Sequence, residues 1–286
     1  MKRKVFGVIL ALCLTIGLSV GLLSGCGDSM TIQYDACECS FSNGVCSNCG
    51  NFAPTEGLDY EENGDYCFVR GIGSARASTI IIPNYYNGKP VVEIRGGAFS
   101  GCSSIRSVVI GDNVSEIGDS AFENCSNLQA VSFGDNVKMV FDNAFYGCNS
   151  LMYNVKDGVK YLGDAENPYF MLMGVQSTGI TSVNIDKSCK IIYSRAFLNC
   201  SALESVDIHE GITSIGDAAF LNCASLKTVI IPDGVYYVGT LAFDENTSVF
   251  LNQKKIGGWW STSWTDSSNV YWKGNWKLSD GVPMPK

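Results

Sequence analysis

Histidine is almost absent from this 286-residue chain, whose single copy is His209. Ser-His-Asp and Cys-His arrangements need an imidazole as general base, so the chain could assemble one in only one place. Carboxylate pairs such as Asp207 and Glu210 occur, but acidic residues are common at turns and nothing marks one as perturbed. The sequence therefore predicts a protein that is not an enzyme.

Positive charge is also scarce, since 20 Lys and Arg residues stand against 28 Asp and Glu residues. Loss of an N-terminal leader would remove Lys2, Arg3 and Lys4 and no acid, which changes the formal charge from −8 to −11. Such a chain repels nucleic acid, so no nucleic-acid partner is expected. The content of 46% hydrophobic and 17% charged residues is typical of an ordered protein.

Residues 1–25 have the pattern of a secretion signal, with a basic start and an apolar run over 5–23. The run is also long enough for a membrane-spanning helix. However, Leu23-Ser24-Gly25-Cys26 closely resembles the lipobox of bacterial lipoproteins, in which the cysteine is lipidated and becomes the first residue. The resemblance implies a lipid anchor on Cys26, a tether over 26–36, and an extracytoplasmic lipoprotein held to the bacterial membrane at the cell surface.

Four cysteines lie close together in residues 37–50, a segment that resembles a small zinc ribbon: Cys37, Cys39, Cys46 and Cys49. Four thiolates can surround one tetrahedral zinc ion, so a structural zinc is one interpretation. Two disulfides are the alternative, because short exported segments are often held together in this way. In either case the module is structural, since four protein sulfurs leave no open position for a substrate.

An Ala-Phe pair recurs along the chain, and the first five copies are followed by a cysteine three residues after the Phe. The pairs begin at residues 98, 121, 144, 196, 219 and 242, in steps of 23, 23, 52, 23 and 23. A fixed period of this size is typical of a solenoid, in which each unit buries its apolar face against its neighbours.

Each repeat also carries a short alternating apolar run, which predicts one β-strand per repeat. Examples are Val108-Val109-Ile110 and Val206-Asp207-Ile208. Because returns of about twenty residues separate these runs, the strands should pair in parallel. The residues seven and four positions before each Ala should point into the core.

The repeat unit resembles the BspA-type leucine-rich repeat family of bacterial surface proteins, for example in Ile231-Pro232-Asp233-Gly234-Val235 and over residues 214–226. The resemblance implies a leucine-rich repeat solenoid, with a parallel sheet on the concave face and an irregular or short helical convex side. Pro54 and Gly57 indicate a linker over 51–57, the β-prone residues 66–70 indicate an N-terminal cap over 58–78, and the repeats occupy 79–252. The sequence departs from the pattern at four residues: Phe141, Asn154, Tyr193 and Asn246.

The repeat cysteines are expected to be free, buried thiols that donate to a backbone carbonyl of the turn. They occupy the same position in five repeats: Cys102, Cys125, Cys148, Cys200 and Cys223.

Two segments interrupt the repeat. The 52-residue step predicts a β-hairpin within residues 155–178, formed by 159–163 and 169–173, with an exposed aromatic tip. All five tryptophans lie in residues 253–286, which are expected to form a C-terminal cap and, from Gly274, a tail. Exposed tryptophans could instead stack on sugars.

The outward side chains of the sheet are the candidate binding surface, because a repeat protein varies these positions while keeping its core. The sequence predicts a polar, acidic patch at Asn184, Asp186, Asp207 and His209 that binds an extracellular protein or peptide bearing Lys or Arg. An adhesin-like role is therefore the main hypothesis. A glycan-binding module and a passive envelope protein are the alternatives.

Overall fold

The computed structural model describes residues 53–254 and 259–286, and before them the backbone of four short strands. These strands form two antiparallel pairs: β1 (Ile32–Tyr34) with β2 (Cys37–Cys39), and β3 (Phe41–Ser42) with β4 (Val45–Cys46). The leader, Cys26, and the cysteine side chains expected to bind zinc or form disulfides all lie outside the described residues.

The first half of the solenoid contains nine strands. They are β5 (Asp59–Asn63), β6 (Tyr66–Gly71), β7 (Thr79–Ile82), β8 (Tyr85–Tyr86), β9 (Lys89–Ile94), β10 (Ser107–Ile110), β11 (Glu116–Ile117), β12 (Ala130–Ser132) and β13 (Met139–Val140). An antiparallel meander follows: β14 (Asn154–Lys156), β15 (Val159–Leu162) and β16 (Met171–Val175).

The second half contains eleven strands. They are β17 (Ser182–Asn184), β18 (Ile191–Ile192), β19 (Ser205–Asp207), β20 (Ser214–Ile215), β21 (Thr228–Ile231), β22 (Tyr237–Val238), β23 (Ser248–Leu251), β24 (Trp259–Trp260), β25 (Val270–Tyr271), β26 (Trp276–Ser279) and β27 (Val282–Pro285). No helix occurs in the described residues, and so none there could cross a membrane.

The repeats form a parallel β-solenoid, as predicted. The alternating runs pair in register one repeat apart, so that Val108 faces Val131 on one side and Ile80 on the other. We call this surface the front sheet; its hydrogen-bonded groups are β7, β10 and β12 in the first half and, in the second half, β17 with β19 and then β21 with β23 and β25.

The prediction of one strand per repeat was wrong, because each coil contributes a second short strand. Glu116–Ile117 pairs in parallel with Met139–Val140, for example. These strands form the side sheet: β9, β11 and β13, then β16, β18, β20, β22 and β24. They are only two residues long in most coils, which is too short for an alternating pattern to be recognised in the sequence.

The Ala-Phe turns form a third hydrogen-bonded side of the solenoid. The Phe99 amide donates to the Ala121 carbonyl at 2.7 Å, and the Phe122 amide donates to the Ala144 carbonyl at 2.8 Å. The residue before each repeat cysteine has a positive φ, which glycine and asparagine tolerate best. These residues are Gly101, Asn124, Gly147, Asn199 and Asn222. In the first half, consecutive coils are therefore bonded to each other on all three sides.

The phenylalanines of these turns stack inside the core. The rings of Phe197, Phe220 and Phe243 are nearly parallel, with centroids 5.0 and 5.1 Å apart, and all three side chains are fully buried. Phe99, Phe122 and Phe145 form a matching column in the first half. The residues predicted to point inward are buried at the seven-before position: Val91, Val114, Val137, Cys189, Ile212 and Val235.

The repeat cysteines are free thiols, and four of the five are buried as predicted. The S–H groups of Cys125 and Cys148 donate to the carbonyls of Phe99 and Phe122 in the preceding coil, both at 3.0 Å. Cys102 departs from the prediction because it is only half-buried. It lies in the first Ala-Phe turn, so it has no preceding Phe carbonyl to reach.

We expect this difference to govern thiol reactivity. In the native protein, iodoacetamide should modify Cys102 well before Cys125 or Cys223, because reaction requires an exposed thiolate and burial raises the pKa of Cys223 to about 12. In denaturant all three should react alike. Peptide mass mapping after timed labelling measures this order, and early labelling of Cys223 in the folded protein would contradict it.

The predicted hairpin is present as β15 and β16, but β14 extends it to three strands through a turn at Asp157 and Gly158, both with positive φ. The expectation of an exposed aromatic tip was wrong. Tyr161 is 1% exposed and Phe170 is 4% exposed, and Phe170 stacks on Phe133 of the preceding coil at 4.6 Å. The tip itself consists of small and polar residues, so it offers no aromatic surface.

The two halves of the solenoid have separate hydrophobic clusters that meet at the meander. Arg195 bridges them with a bidentate pair to Asp142, at 2.7 and 3.0 Å. The hydroxyl of Tyr193 accepts the Phe145 amide at 2.9 Å. At this junction, bonds made by the side chains of Arg195 and Tyr193 therefore replace the regular ladder of backbone hydrogen bonds.

The C-terminal segment closes the core, as expected of a cap. Trp264 is 6% exposed and packs edge-on against Phe243. The prediction of a tail after Gly274 was wrong, because β26 and β27 pair as a hairpin through Asp280 and Gly281. Trp276 anchors this C-terminal hairpin: its indole lies 5.5 Å from Phe250, and its N–H donates to the Leu251 carbonyl at 3.0 Å.

Candidate functional site

A depression of about 480 Å³ lies on the front sheet of the second half. It is lined mainly by β19 and β21, by the loop after β19 and by Pro283 of the C-terminal hairpin. The lining includes the charged residues Lys187, Glu204, Asp207 and Glu210, and its apolar residues include Ile230 and Pro283. We call this feature the front depression.

The strand pattern explains how these side chains reach the surface. In β21, Val229 and Ile231 are buried while Ile230 between them points outward and is half-buried. Asp207 occupies the equivalent outward position in β19 and is exposed. Consecutive coils thus place an aliphatic and an acidic side chain side by side.

The front depression is acidic. Its lining includes three carboxylates and one lysine, a formal charge of −2 with His209 neutral. Lys187 pairs with Asp207 at 2.9 Å, and both side chains are more than half exposed, so the pair contributes little stability. Among the described residues, Glu204 and Glu210 have no ion-pair partner. These two carboxylates are therefore available to a cationic ligand group.

His209 lines the depression, but both of its ring nitrogens are engaged within the chain. Nδ1 accepts the Gly211 amide at 3.0 Å, which leaves Nε2 to donate to the Asp186 carbonyl at 2.9 Å. Burial lowers the pKa of His209 below its ordinary value of 6.5, so the ring is neutral at pH 7. The imidazole links two consecutive coils and has no free nitrogen to act as a general base.

Asp186 and Asn184 do not line the front depression. Asp186 forms a 2.6 Å ion pair with Lys156, and its other oxygen accepts the Ser188 amide and hydroxyl. Burial alone would raise the pKa of Asp186, but the bonds from Lys156 and Ser188 outweigh it and hold the pKa at about 2. This carboxylate therefore stabilises the fold above pH 3.8, and the contribution is lost as the pH falls towards 2.

Two of the four predicted residues, Asp207 and His209, thus line the front depression. Other residues that line it were not predicted from the sequence. Glu204 precedes β19 at a position where other repeats carry Arg106, Gln129 or Lys227. This variation could have indicated a surface residue, because a position that varies in an otherwise strict repeat does not pack in the core. Pro283 carried no signal, since its hairpin lies outside the repeat.

A second exposed feature lies on the side sheet near the C-terminal end. Trp259 is 61% exposed, and its indole N–H donates to the Tyr236 hydroxyl at 2.9 Å, while Tyr236 is 39% exposed. The other tryptophans are buried or half-buried. The sequence interpretation grouped all five tryptophans together, whereas only this one presents most of its surface to solvent.

Stacked coils with a constant core and a varied, accessible front sheet define a leucine-rich repeat solenoid. The chain belongs to the BspA type leucine rich repeat family, whose model matches six copies over residues 61–166 and 174–251. No curated protein matches the chain.

Solved structures with similarity to the chain are bacterial leucine-rich repeat proteins. One from T. pallidum is 24% identical, with 70% of this chain and 80% of that chain covered and a TM-score of 0.40. One from Bacteroides ovatus is 21% identical, with 72% and 67% covered and a TM-score of 0.37. A leucine rich cell surface protein from Faecalibacterium prausnitzii is 22% identical, with 81% and 57% covered and a TM-score of 0.38.

Proposed function

We propose that this protein is a lipid-anchored, adhesin-like binding protein of the bacterial cell surface, which holds an extracellular protein ligand on its front sheet. The observation that carries the proposal is the front depression, where an outward Ile230 lies beside accessible carboxylates. A partly apolar centre with a charged rim is typical of protein-binding surfaces. Family membership supports the same role, because a repeat solenoid exposes a broad surface for binding.

The test is a titration of residues 27–286, which lack the leader and the lipidated Cys26, against immobilised extracellular proteins and polysaccharides by surface plasmon resonance. We expect at least one protein to bind, and Ile230→Glu to weaken that binding at least tenfold, because it places a charge at the centre of the contact. Glu245→Gln is the control, since Glu245 is exposed in the turn region after Phe243, outside the depression. Binding that survives Ile230→Glu with folding intact would refute the assignment to the front depression.

Glycan binding is the second candidate, and the exposed Trp259 beside Tyr236 favours it. An indole held by a hydrogen bond offers a fixed flat surface for a sugar ring. In the same titration, a polysaccharide that binds the parent protein and loses at least tenfold affinity with Trp259→Ala would support this function. Loss of polysaccharide binding with Ile230→Glu but not with Trp259→Ala would contradict it.

The lipid anchor is a separate part of the proposal and rests on Leu23-Ser24-Gly25-Cys26. We expect Cys26→Ala to release the protein from the membrane fraction or leave its leader uncleaved, because the acylated thiol would be missing. Fractionation of cells followed by intact-mass measurement tests this. Unchanged processing and unchanged membrane association would contradict it.

A further inference from the structure

The C-terminal hairpin presents one of its two faces to the front sheet. Residues that pair across an antiparallel ladder share a face. Trp276 pairs with Pro285 and Leu278 pairs with Pro283, so these four side chains lie on one face. Trp276 packs against Phe250, and Pro283 lines the front depression, which orients this face towards the front sheet.

Leu278 is a large apolar side chain on that face that remains mostly exposed to solvent. It is 57% exposed although it lies between the packed Trp276 and the turn of the hairpin, and Pro283 is its cross-strand partner. On the sheet side, Ile230 is half-buried and also lines the depression. Apolar surface is therefore present both on the hairpin and on the sheet, with the depression open beside Pro283.

The hairpin is tied to the solenoid at its base. Besides the Trp276 contacts, Lys273 forms a 3.1 Å ion pair with Asp233 in the corner after β21. The Lys273 amide also donates to the Gln253 carbonyl at 3.3 Å. These contacts hold the hairpin strands beside the sheet, so the hairpin forms a wall and not a trailing segment.

The charged part of the depression's lining lies in and around β19. Glu204 and Glu210 are exposed and have no ion-pair partner in the described part of the chain, while Asp207 shares its charge with Lys187. An occupant that covers these carboxylates without pairing them would pay a desolvation cost. Lys and Arg fit best, since they combine a cationic head with an aliphatic stem that can lie along Ile230.

We propose that the space between the C-terminal hairpin and the front sheet binds an extended segment of a partner protein, which carries an apolar side chain next to Lys or Arg. The apolar side chain packs against Ile230, Pro283 and Leu278, and the cation pairs with Glu204 or Glu210. A segment of this kind complements both walls at once, whereas a sugar would leave the apolar surface uncovered. This inference rests on the proposed function and names the chemistry of its ligand.

Fluorescence anisotropy with labelled peptides tests the inference. The probe is a nonapeptide in which Leu and Lys occupy alternate positions, with Gly and Ser at the positions between them. In one matched peptide Glu replaces each Lys, and in the other Ser replaces each Leu. We expect the Leu/Lys peptide to bind, with affinity falling at least tenfold for the Glu version and at least threefold for the Ser version. Binding should also weaken as salt rises, because charge pairing contributes to it.

Two hairpin variants supply a matched comparison. Leu278 and Val282 are 57% and 56% exposed, but they lie on opposite faces of the hairpin. Leu278→Ser should weaken the Leu/Lys peptide at least threefold, whereas Val282→Ser should leave its affinity unchanged. Glu204→Gln combined with Glu210→Gln should weaken it at least fivefold, with Glu245→Gln as the charge control.

Absence of peptide binding, or equal effects of Leu278→Ser and Val282→Ser, would overturn the inference. That failure is distinguishable from failure of the proposed function. If a protein ligand still loses affinity with Ile230→Glu while Leu278→Ser has no effect, the front sheet binds ligand without the hairpin. If neither variant affects any ligand, the proposed function fails as well.

Discussion

Phe220→Ala is expected to lower the free energy of unfolding by about 3–5 kcal/mol, because it removes a fully buried ring and leaves a cavity. The ring stacks between Phe197 and Phe243, so both neighbouring coils lose a packing partner. In a solenoid, stability depends on interfaces between neighbouring coils, and this substitution weakens two of them at once. Urea denaturation followed by circular dichroism measures the change.

Tyr146→Ala is the control for Phe220→Ala. Tyr146 directly follows the Ala144-Phe145 pair and is 63% exposed, so its removal should change stability by less than about 0.5 kcal/mol. Similar losses for the two variants would mean that the stacked column does not carry the stability of the second half.

Gly118→Ala is expected to cost about 2–3 kcal/mol, because the coils approach each other too closely for a side chain at this position. A Cβ on Gly118 would lie 2.5 Å from the Gly96 nitrogen and 2.9 Å from the Arg95 carbonyl carbon, both backbone atoms of the preceding coil. Backbone atoms cannot rotate away, so the two coils must separate. The same denaturation experiment measures the loss.

Gly174→Ala provides the comparison, since Gly174 also lies at the side sheet and its φ is not positive. The nearest atom to its added Cβ is the Ala196 carbonyl oxygen at 3.6 Å, an ordinary contact. This variant should be nearly neutral. If Gly118→Ala were equally neutral, the close approach of the coils would not be what requires glycine there.

The 23-residue period made the solenoid and its core predictable, because side chains in every coil face the same surroundings. The glycine before the Ala-Phe pair is an example, since Gly118, Gly216 and Gly239 all abut the backbone of the preceding coil. Phe141 and Tyr193 depart from that pattern at the junction of the two halves. Phe141 packs on Tyr237, 96 positions along the chain, and no local pattern can indicate such a contact.

The candidate site was only partly predictable for a related reason. Alternation along the strand placed Asp207 on the outward surface, but it could not show that Lys187 would pair with it or that His209 would bond to the coil below. The C-terminal hairpin was missed because it has no repeat and its strands have mixed polarity. Its position depends on long-range contacts, such as that of Trp276 with Phe250 and that of Lys273 with Asp233.

The hydrogen bonds on all three sides of the solenoid run from coil to coil, along the direction in which the coils are stacked. A pulling force along that direction would load the hydrogen bonds between one pair of coils at a time, and not those between many coils together. Each 23-residue coil that peels away would lengthen the molecule by roughly 80 Å at about 3.4 Å per residue. A molecule fixed at one end and holding a ligand at the other would therefore extend in steps under flow and absorb mechanical work before the ligand is torn off.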